Sequence, residues 1–419
     1  MSASTRRVAR SFDESVSASI GQIPRFDTGT EDRAKVPSPR DERTYLSAAR
    51  LGGRGANGTS EYEALAKNVV RRSLHIQPKE NVIVECWNHG LDAAKEIVYQ
   101  LRAVGARPML LLEDEETHWR SVEDLPPAKL GQVSASEWAA LSKADAYVFF
   151  PGPADIARYR KNMEKSQAAT SYNSDWYRRA ERAGLRGARV LLGYVSRERA
   201  RTYGFEFDAW RDMILRASSV DFSAISRKGK KLAALLSKDA EVEVSAPNGT
   251  RFVCELKGRP AQSDDGIVDA QDVKDGEFMT NVPPGYVIVC PGETSAEGVV
   301  RFDRPVPYLG LQVTDVAFTF KEGKASWSAG TNEESIRGQY DRATGAKDRL
   351  GWLQIGLNPA ASYGFLQDDL VAGAVEIGIG DNSEYGGKNK SNFGFQGRLT
   401  NATVRVGKKV VVDKGRLAT

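Results

Sequence analysis

Between residues 62 and 238 the apolar positions of the chain switch repeatedly between two spacings. YEALAKNVVRRSL (62–74) places them three and four apart, the period of one helix face, whereas NVIVECW (81–87) is a β-rich run. LDAAKEIVYQLRAVGA (91–106) returns to helical spacing and stops near Gly105. ARPMLLLED (106–114), ADAYVFFPG (144–152) and ARVLLGYV (188–195) read as three more strands. Strands alternating with helices predict an α/β domain over 61–238, built on a parallel sheet with helices on both faces. SRKGKKLAALLSK (226–238) ends it as an amphipathic helix, Leu and Ala facing the core and lysines facing water.

From about Ala240 the style changes to short β-runs separated by turns. EVEVSAPNGTRFVCEL (241–256) is a hairpin pattern with Asn248-Gly249 at its turn, and 316–328 and 402–417 repeat it. The second domain, 239–419, is therefore expected to be a mostly antiparallel, curved sheet with a few helices, one starting near Glu333. Residues 1–60 differ from both. Arg6, Arg7, Arg10, Asp13, Glu14 and the Pro/Arg/Glu/Asp-rich stretch 24–43 bury too little apolar surface to offset ordering, and LGGRGANGTS (51–60) reads as a flexible joint.

Composition narrows the partners. The net charge of +4 comes from 59 basic and 55 acidic residues, and no basic tract is interleaved with aromatics, so nucleic acid is not expected. Cys86, Cys254 and Cys290 are too few and too scattered for a disulfide framework or zinc knuckle, which suits a reducing compartment. Residues 1–30 offer no signal-peptide core, and no apolar stretch of about 18 residues occurs. The expectation is a cytoplasmic protein with no membrane segment.

The first strand runs into WNHGLDAAKE (87–96), which lacks the G-x-G-x-x-G needed for close pyrophosphate approach, and no G-x-x-x-x-G-K-[ST] loop occurs. The α/β domain is read as a scaffold without a nucleotide. Of the three histidines, His89 follows a strand end but stands alone, and His75 and His118 are expected at the surface. None follows His118.

That last absence gains meaning from five strings beyond it. WRDMILRASSVDFSAISRKGKKLAALLSKDAEVEVSAPNGTRFVCELKGRPAQSDDG (210–266), NVPPGYVIVCPGETSAEG (281–298), LGWLQIGLNPAA (350–361), VEIGIGDNSEYGGKN (375–389) and FGFQGRLTNATVRVGKKVVVDKGRL (393–417) occur in one order. In that order they resemble the thermophilic co-catalytic metallo-aminopeptidases, aminopeptidases T, S and II. The resemblance implies a Rossmann-like N-terminal domain, a β-rich C-terminal domain that houses the site, and a homodimer.

It also implies where two metal ions would sit, and those positions are altered. The LP-x-G-E-V string resembles 283–287 and puts its glutamate on Tyr286; the glutamate of G-E-L-G-x-G-x-N-P falls on Trp352. The histidine of H-I-A-x-G falls on Glu376, the final H-x-D pair falls on Gly394 and Gln396, and a family tyrosine corresponds to Tyr385. Paired divalent metals need several carboxylates and imidazoles. Tyr, Trp, Gly and a neutral amide do not supply them, so no metal and no cofactor is expected.

Three functions compete at this stage. The first is a catalytically inactive aminopeptidase-like protein that binds a peptide or peptide-like ligand through Tyr286, Trp352, Glu376, Tyr385, Asn392 and Gln396. Glu376 would accept the ligand's amino terminus, and a precursor peptide passed to modifying enzymes in a ribosomal natural-product pathway is a concrete case. The second is a metal-independent enzyme, with Glu376 or Glu293 as acid/base, Tyr286 or Tyr385 as proton donor and Cys290 as nucleophile. The third is an active metallo-enzyme, an aminopeptidase or an iron-dependent ring-opening dioxygenase of the same frame, which the missing histidines oppose.

Overall fold

The computed structural model describes residues 60–418, so the polar extension expected over 1–60 lies, apart from Ser60, outside the described residues. The first sheet is parallel throughout. Its strands β1 (Asn81–Trp87), β2 (Arg107–Glu113), β3 (Ala146–Phe149) and β4 (Arg186–Val190) stand in the order β2-β1-β3-β4, and Met279–Val282 adds a fifth strand beside β4. The predicted strand over 188–195 starts earlier and gives way to a 3-10 turn over Leu191–Tyr194.

Period-2 alternation sends the side chains of this sheet into two cores. Val82, Val84, Cys86, Val148 and Val190 meet Ile97, Leu101, Trp210 and Met213 from helices Leu91–Ala103 and Phe207–Ser218. Ile83 and Tyr147 point the other way and meet Trp176 and Ala180 of helix Asn173–Ala183. The opening helix is shorter than its pattern implied, running as α-helix over Glu63–Asn68 and as a π-turn over Val69–Ser73. His118 does not sit free at the surface as expected: its ring packs edge-on against Trp87 and Trp119, at 5.0 and 4.9 Å between centroids.

The second half is a sandwich of two antiparallel sheets. The larger has eight strands and contains the three predicted hairpins, Asp239–Ser245 with Arg251–Lys257, Ala317–Lys321 with Lys324–Ser328, and Thr403–Val406 with Lys409–Asp413. Gly249 takes φ +92° in the first of these turns, a conformation open to glycine. The smaller sheet has the order Gly394–Leu399, Val375–Gly380, Leu350–Gly356, Tyr286–Val289, Gln262–Asp264. Its Val287, Val289, Leu353, Ile355, Ile377, Ile379 and Phe395 share one core with Val244, Phe252, Leu256, Phe318 and Phe320 of the larger sheet.

The expected division at 238/239 is crossed by the chain. Met279–Val282 belongs to the parallel sheet, and within a few residues Tyr286–Val289 enters the smaller antiparallel one. Asn358, fully buried, ties the junction: its amide donates to the carbonyls of Ala217 (3.0 Å) and Pro284 (2.8 Å) while its oxygen accepts from the amides of Ala360 and Ala361. Trp210 adds a bond from its indole N–H to Gln367 at 2.9 Å. Among the described residues no helix is long and apolar enough to cross a membrane.

Candidate functional site

The smaller sheet has one face committed to the sandwich core, so every second side chain must leave on the opposite face. On the three neighbouring strands Leu350–Gly356, Val375–Gly380 and Gly394–Leu399 these are Trp352 and Gln354, Glu376 and Gly378, and Gln396 and Arg398. Cross-strand register aligns them in rows: Trp352 with Gly378 and Gln396, then Gln354 with Glu376 and Arg398. Tyr286 stands opposite Gly356 on one side and Asp264 on the other. A strand pattern of polar residues between buried apolar ones thus becomes one polar surface, itself covered, since Leu350–Gly356 and Val375–Gly380 are buried along their whole length.

Glu376 is the centre of this surface. Only 5% exposed, it accepts a hydrogen bond from the indole N–H of Trp352 at 3.0 Å. Its second oxygen lies 2.9 Å from the guanidinium of Arg398, whose side chain is 11% exposed. The contact is an ion pair without in-line hydrogen-bond geometry. The same guanidinium stands 3.9 Å from Asp369, which also accepts from the Gln354 amide at 3.1 Å. Asp368 shapes the loop that delivers Asp369, accepting from the backbone amides of Gly364 and Phe365 at 2.7 and 3.0 Å.

Burial raises the carboxyls of Glu376 and Asp369 above the ordinary range; Arg398 pulls both down, and Asp369 pushes Glu376 back up. One guanidinium cannot balance two buried carboxylates, so the cluster favours retaining a proton. Around it, burial and then Asp264, Tyr385 and Asp369 push the Tyr286 hydroxyl well above its usual value, and burial, Glu384 and Glu376 do the same to Tyr385. Both phenols are held neutral.

Trp352 occupies the space above the sheet. A Cβ on Gly378 would lie 2.2 Å from the indole, and one on Gly394 would lie 3.6 Å from its far edge. The ring lies on Gly378 and extends toward Gly394, a position that carries no side chain. Tyr385 borders it with ring centroids 6.0 Å apart.

Five of the expected ligand-binding residues, Tyr286, Trp352, Glu376, Tyr385 and Gln396, come from the strands and adjoining loop of this surface. Asn392 points its oxygen to the backbone amide of Thr344 at 2.8 Å and ties the strand entry to the loop after helix Glu333–Arg342. Arg398, Asp369 and Gln354 were missed. Arg398 had a signal, the alternation of GFQGRL that sets it beside Gln396 on one face; Asp369 had none, because a loop brings it in.

Two residues offered for metal-free catalysis are committed elsewhere. Cys290 lies under the loop, its thiol 3.4 Å from the Tyr385 carbonyl and pushed up to about 12 by burial, which removes the thiolate a nucleophile needs. Glu293 makes a bidentate pair with Arg259 at 2.6 and 2.7 Å and accepts from the Lys388 amide. Burial alone would raise its carboxyl, but Arg259 and that amide hold it below the usual range. His89, in the parallel-sheet half, bonds to the Gly193 carbonyl at 2.7 Å and is a packing histidine.

Residues 59–361 match the thermophilic metalloprotease (M29) family. The chain belongs to that family. The matched span ends before Val375–Gly380 and Gly394–Leu399, the two strands that carry Glu376, Gln396 and Arg398. In structure this M29 chain is similar to wild-type AmpT from Thermus thermophilus, with 20% identity and a TM-score of 0.68 over 86% of this chain and 99% of that one. It is also similar to 2,5-dihydroxypyridine dioxygenase from Pseudomonas putida KT2440, with 16% identity and a TM-score of 0.57 over 86% and 98% of the two chains. At these identities the likeness is one of fold. No curated protein matches by sequence.

The M29 family implies a metal centre, and the donor set here does not fit one. Among the described residues no group of three or more His, Cys, Asp or Glu could hold a metal ion. The nearest carboxylates, Glu376 and Asp369, already face a guanidinium, and an indole fills the adjoining space. A cation in that position would have to displace both.

Proposed function

We propose that this M29 protein binds a peptide or peptide-like ligand and does not hydrolyse it by the metal-dependent route of the family. The carrying observation is Arg398: an internal cation stands against Glu376 and Asp369, where a metal ion would need the same carboxylates. Trp352 and Tyr385 supply ring faces beside it, and Gln396 supplies a neutral amide on the same surface. Since Glu376 is already paired, capture of a ligand's amino terminus falls to the carboxyl cluster as a whole, where one guanidinium stands against two carboxyls and a bound ammonium would take the place of the retained proton. A precursor peptide handed to modifying enzymes fits this reading, as does a cytoplasmic homodimer.

The test is metal analysis of protein purified without chelator, joined to mass spectrometry of co-purified peptides. A peptide retained in stoichiometric amount with no zinc, cobalt, manganese or iron supports the reading. Stoichiometric metal, or chelator-sensitive turnover of an amino-acid amide, refutes it. One observation favours a second reading, metal-free acid/base catalysis: the Glu376–Asp369 pair is buried, proton-retaining and flanked by two neutral phenols. Chelator-insensitive turnover with a pH profile abolished by Glu376→Gln would favour it over binding alone.

A further inference from the structure

A second concavity lies in the parallel sheet, lined by none of the residues of the Arg398 cluster. The order β2-β1-β3-β4 reverses direction between β1 and β3, and open α/β sheets bind ligands outside the carboxyl ends of the strands at such a reversal. A pocket of about 680 Å³, its open mouth included, is found there. Glu85 and Trp87 enter it from β1, Tyr147 and Phe149 from β3, and Trp176 and Tyr177 from the roofing helix Asn173–Ala183.

Its walls are aromatic and mutually braced. Tyr147 and Trp176 meet edge to face at 4.7 Å, Trp176 and Tyr177 at 5.1 Å, and Tyr147 and Phe149 are tilted at 6.3 Å. The indole of Trp87 lies on Gly152, where a Cβ would come within 2.2 Å of it. Among the described lining residues one carboxyl side chain enters this shell: Glu85, which accepts a hydrogen bond from the Tyr147 hydroxyl. Glu113 at the end of β2 and Glu137 on helix Ala135–Leu141 add negative charge from behind. Arg179 of the roofing helix is stacked on Trp138 at 4.4 Å, and Arg189, in register beyond Phe149 on β4, is stacked on Tyr194 at 5.1 Å.

Three acids and no phosphate-binding loop argue against a nucleotide or any other anion. Aromatic rings gathered around a carboxyl group suit ammonium recognition, in which ring quadrupoles and one negative charge replace the hydration of the cation. We infer that the cleft outside β1 and β3 binds a small organic cation, an alkyl- or arylalkylammonium, with its charge against Glu85 and its carbon shell against Trp87, Tyr147, Phe149, Trp176 and Tyr177. The residues that line this cleft are distinct from those of the Arg398 cluster.

The site has a proton signature. Burial, then Glu113 and Glu137, push the Glu85 carboxyl up to about 8, so without ligand it holds a proton at neutral pH. A bound cation stabilises the carboxylate and expels that proton. Affinity therefore rises with pH up to about 8, by at most about tenfold per unit, and then levels.

The experiment is calorimetric titration of the full-length protein at pH 6.5 and pH 8.5 with choline, phenethylammonium and 3,3-dimethylbutan-1-ol, the uncharged isostere of choline. A charged probe should bind at least about tenfold more tightly than the isostere and more tightly at pH 8.5. Glu85→Gln should remove both preferences. Phe149→Leu, which leaves the carboxylate in place, should weaken the charged probe while keeping its pH dependence, and it serves if the first variant does not fold. Equal binding of choline and its isostere, no binding of either cation, or an unchanged affinity in folded Glu85→Gln would each overturn the assignment.

Discussion

Replacing Arg398 by methionine removes the one cation that, among the described residues, faces both Glu376 and Asp369, while keeping a side chain of comparable length. Both partners of the pair are nearly sealed, at 11% and 6% side-chain exposure, so solvent cannot take over the compensation. Breaking such a pair from one side typically costs about 3–5 kcal/mol, because the remaining carboxylate is buried uncompensated. That corresponds to a fall in melting temperature of roughly 4–6 °C for a chain of this size. The loss should depend on pH in a defined sense. Burial already raises the folded-state pKa of both acids above their unfolded values, and losing Arg398 removes a force that lowers them. A folded state that binds more protons than the unfolded one gains stability as pH falls. The deficit of Arg398→Met should thus be largest near pH 8 and shrink toward pH 5. Glu376→Gln in the same chain should recover part of it, with a coupling of about 1–3 kcal/mol in a double-mutant cycle. Urea denaturation of the four proteins at both pH values measures this. A variant as stable as the parent at pH 8, or a deficit independent of pH, would refute the claim that Arg398 serves as the internal cation.

Other consequences are open to simpler measurements. Gly378→Ala should drive the Trp352 indole off the sheet and cost about 1–3 kcal/mol through overpacking, read as a lower thermal midpoint; an unchanged midpoint would mean that the ring has room to move. All three cysteines are buried, and the thiols of Cys86 and Cys290 are pushed up to about 11 and 12 by burial. A thiol reagent at pH 8 should therefore label none of them in the native protein and all of them in urea. Asn358→Ala removes four hydrogen bonds from a fully buried junction and should destabilise by about 3 kcal/mol or more; a value under about 1 kcal/mol would show that the two halves are joined by other contacts.

Much of the frame was legible in the residues. Local spacing carries the strand and helix pattern of 81–238 and the hairpin at Asn248-Gly249, because a 2.0 or 3.6 period reports directly on which face is buried. Family strings assigned Tyr286, Trp352, Glu376 and Gln396 to one site, and alternation alone would put Arg398 on the face of Gln396. What spacing could not give was the company these residues keep. Asp369 reaches Arg398 from a loop that Asp368 folds, Met279–Val282 joins a sheet begun about 200 residues earlier, and Asn392 is spent on Thr344. Glu85 and Trp176 likewise form one cleft although they belong to a strand and a distant helix. The sequence determined which side chains leave each strand on its polar face and which residues stand where the family resemblance expects metal donors. The tertiary structure decided that a guanidinium stands against the carboxylates left behind, since charge compensation depends on distances in space that local periodicity does not encode.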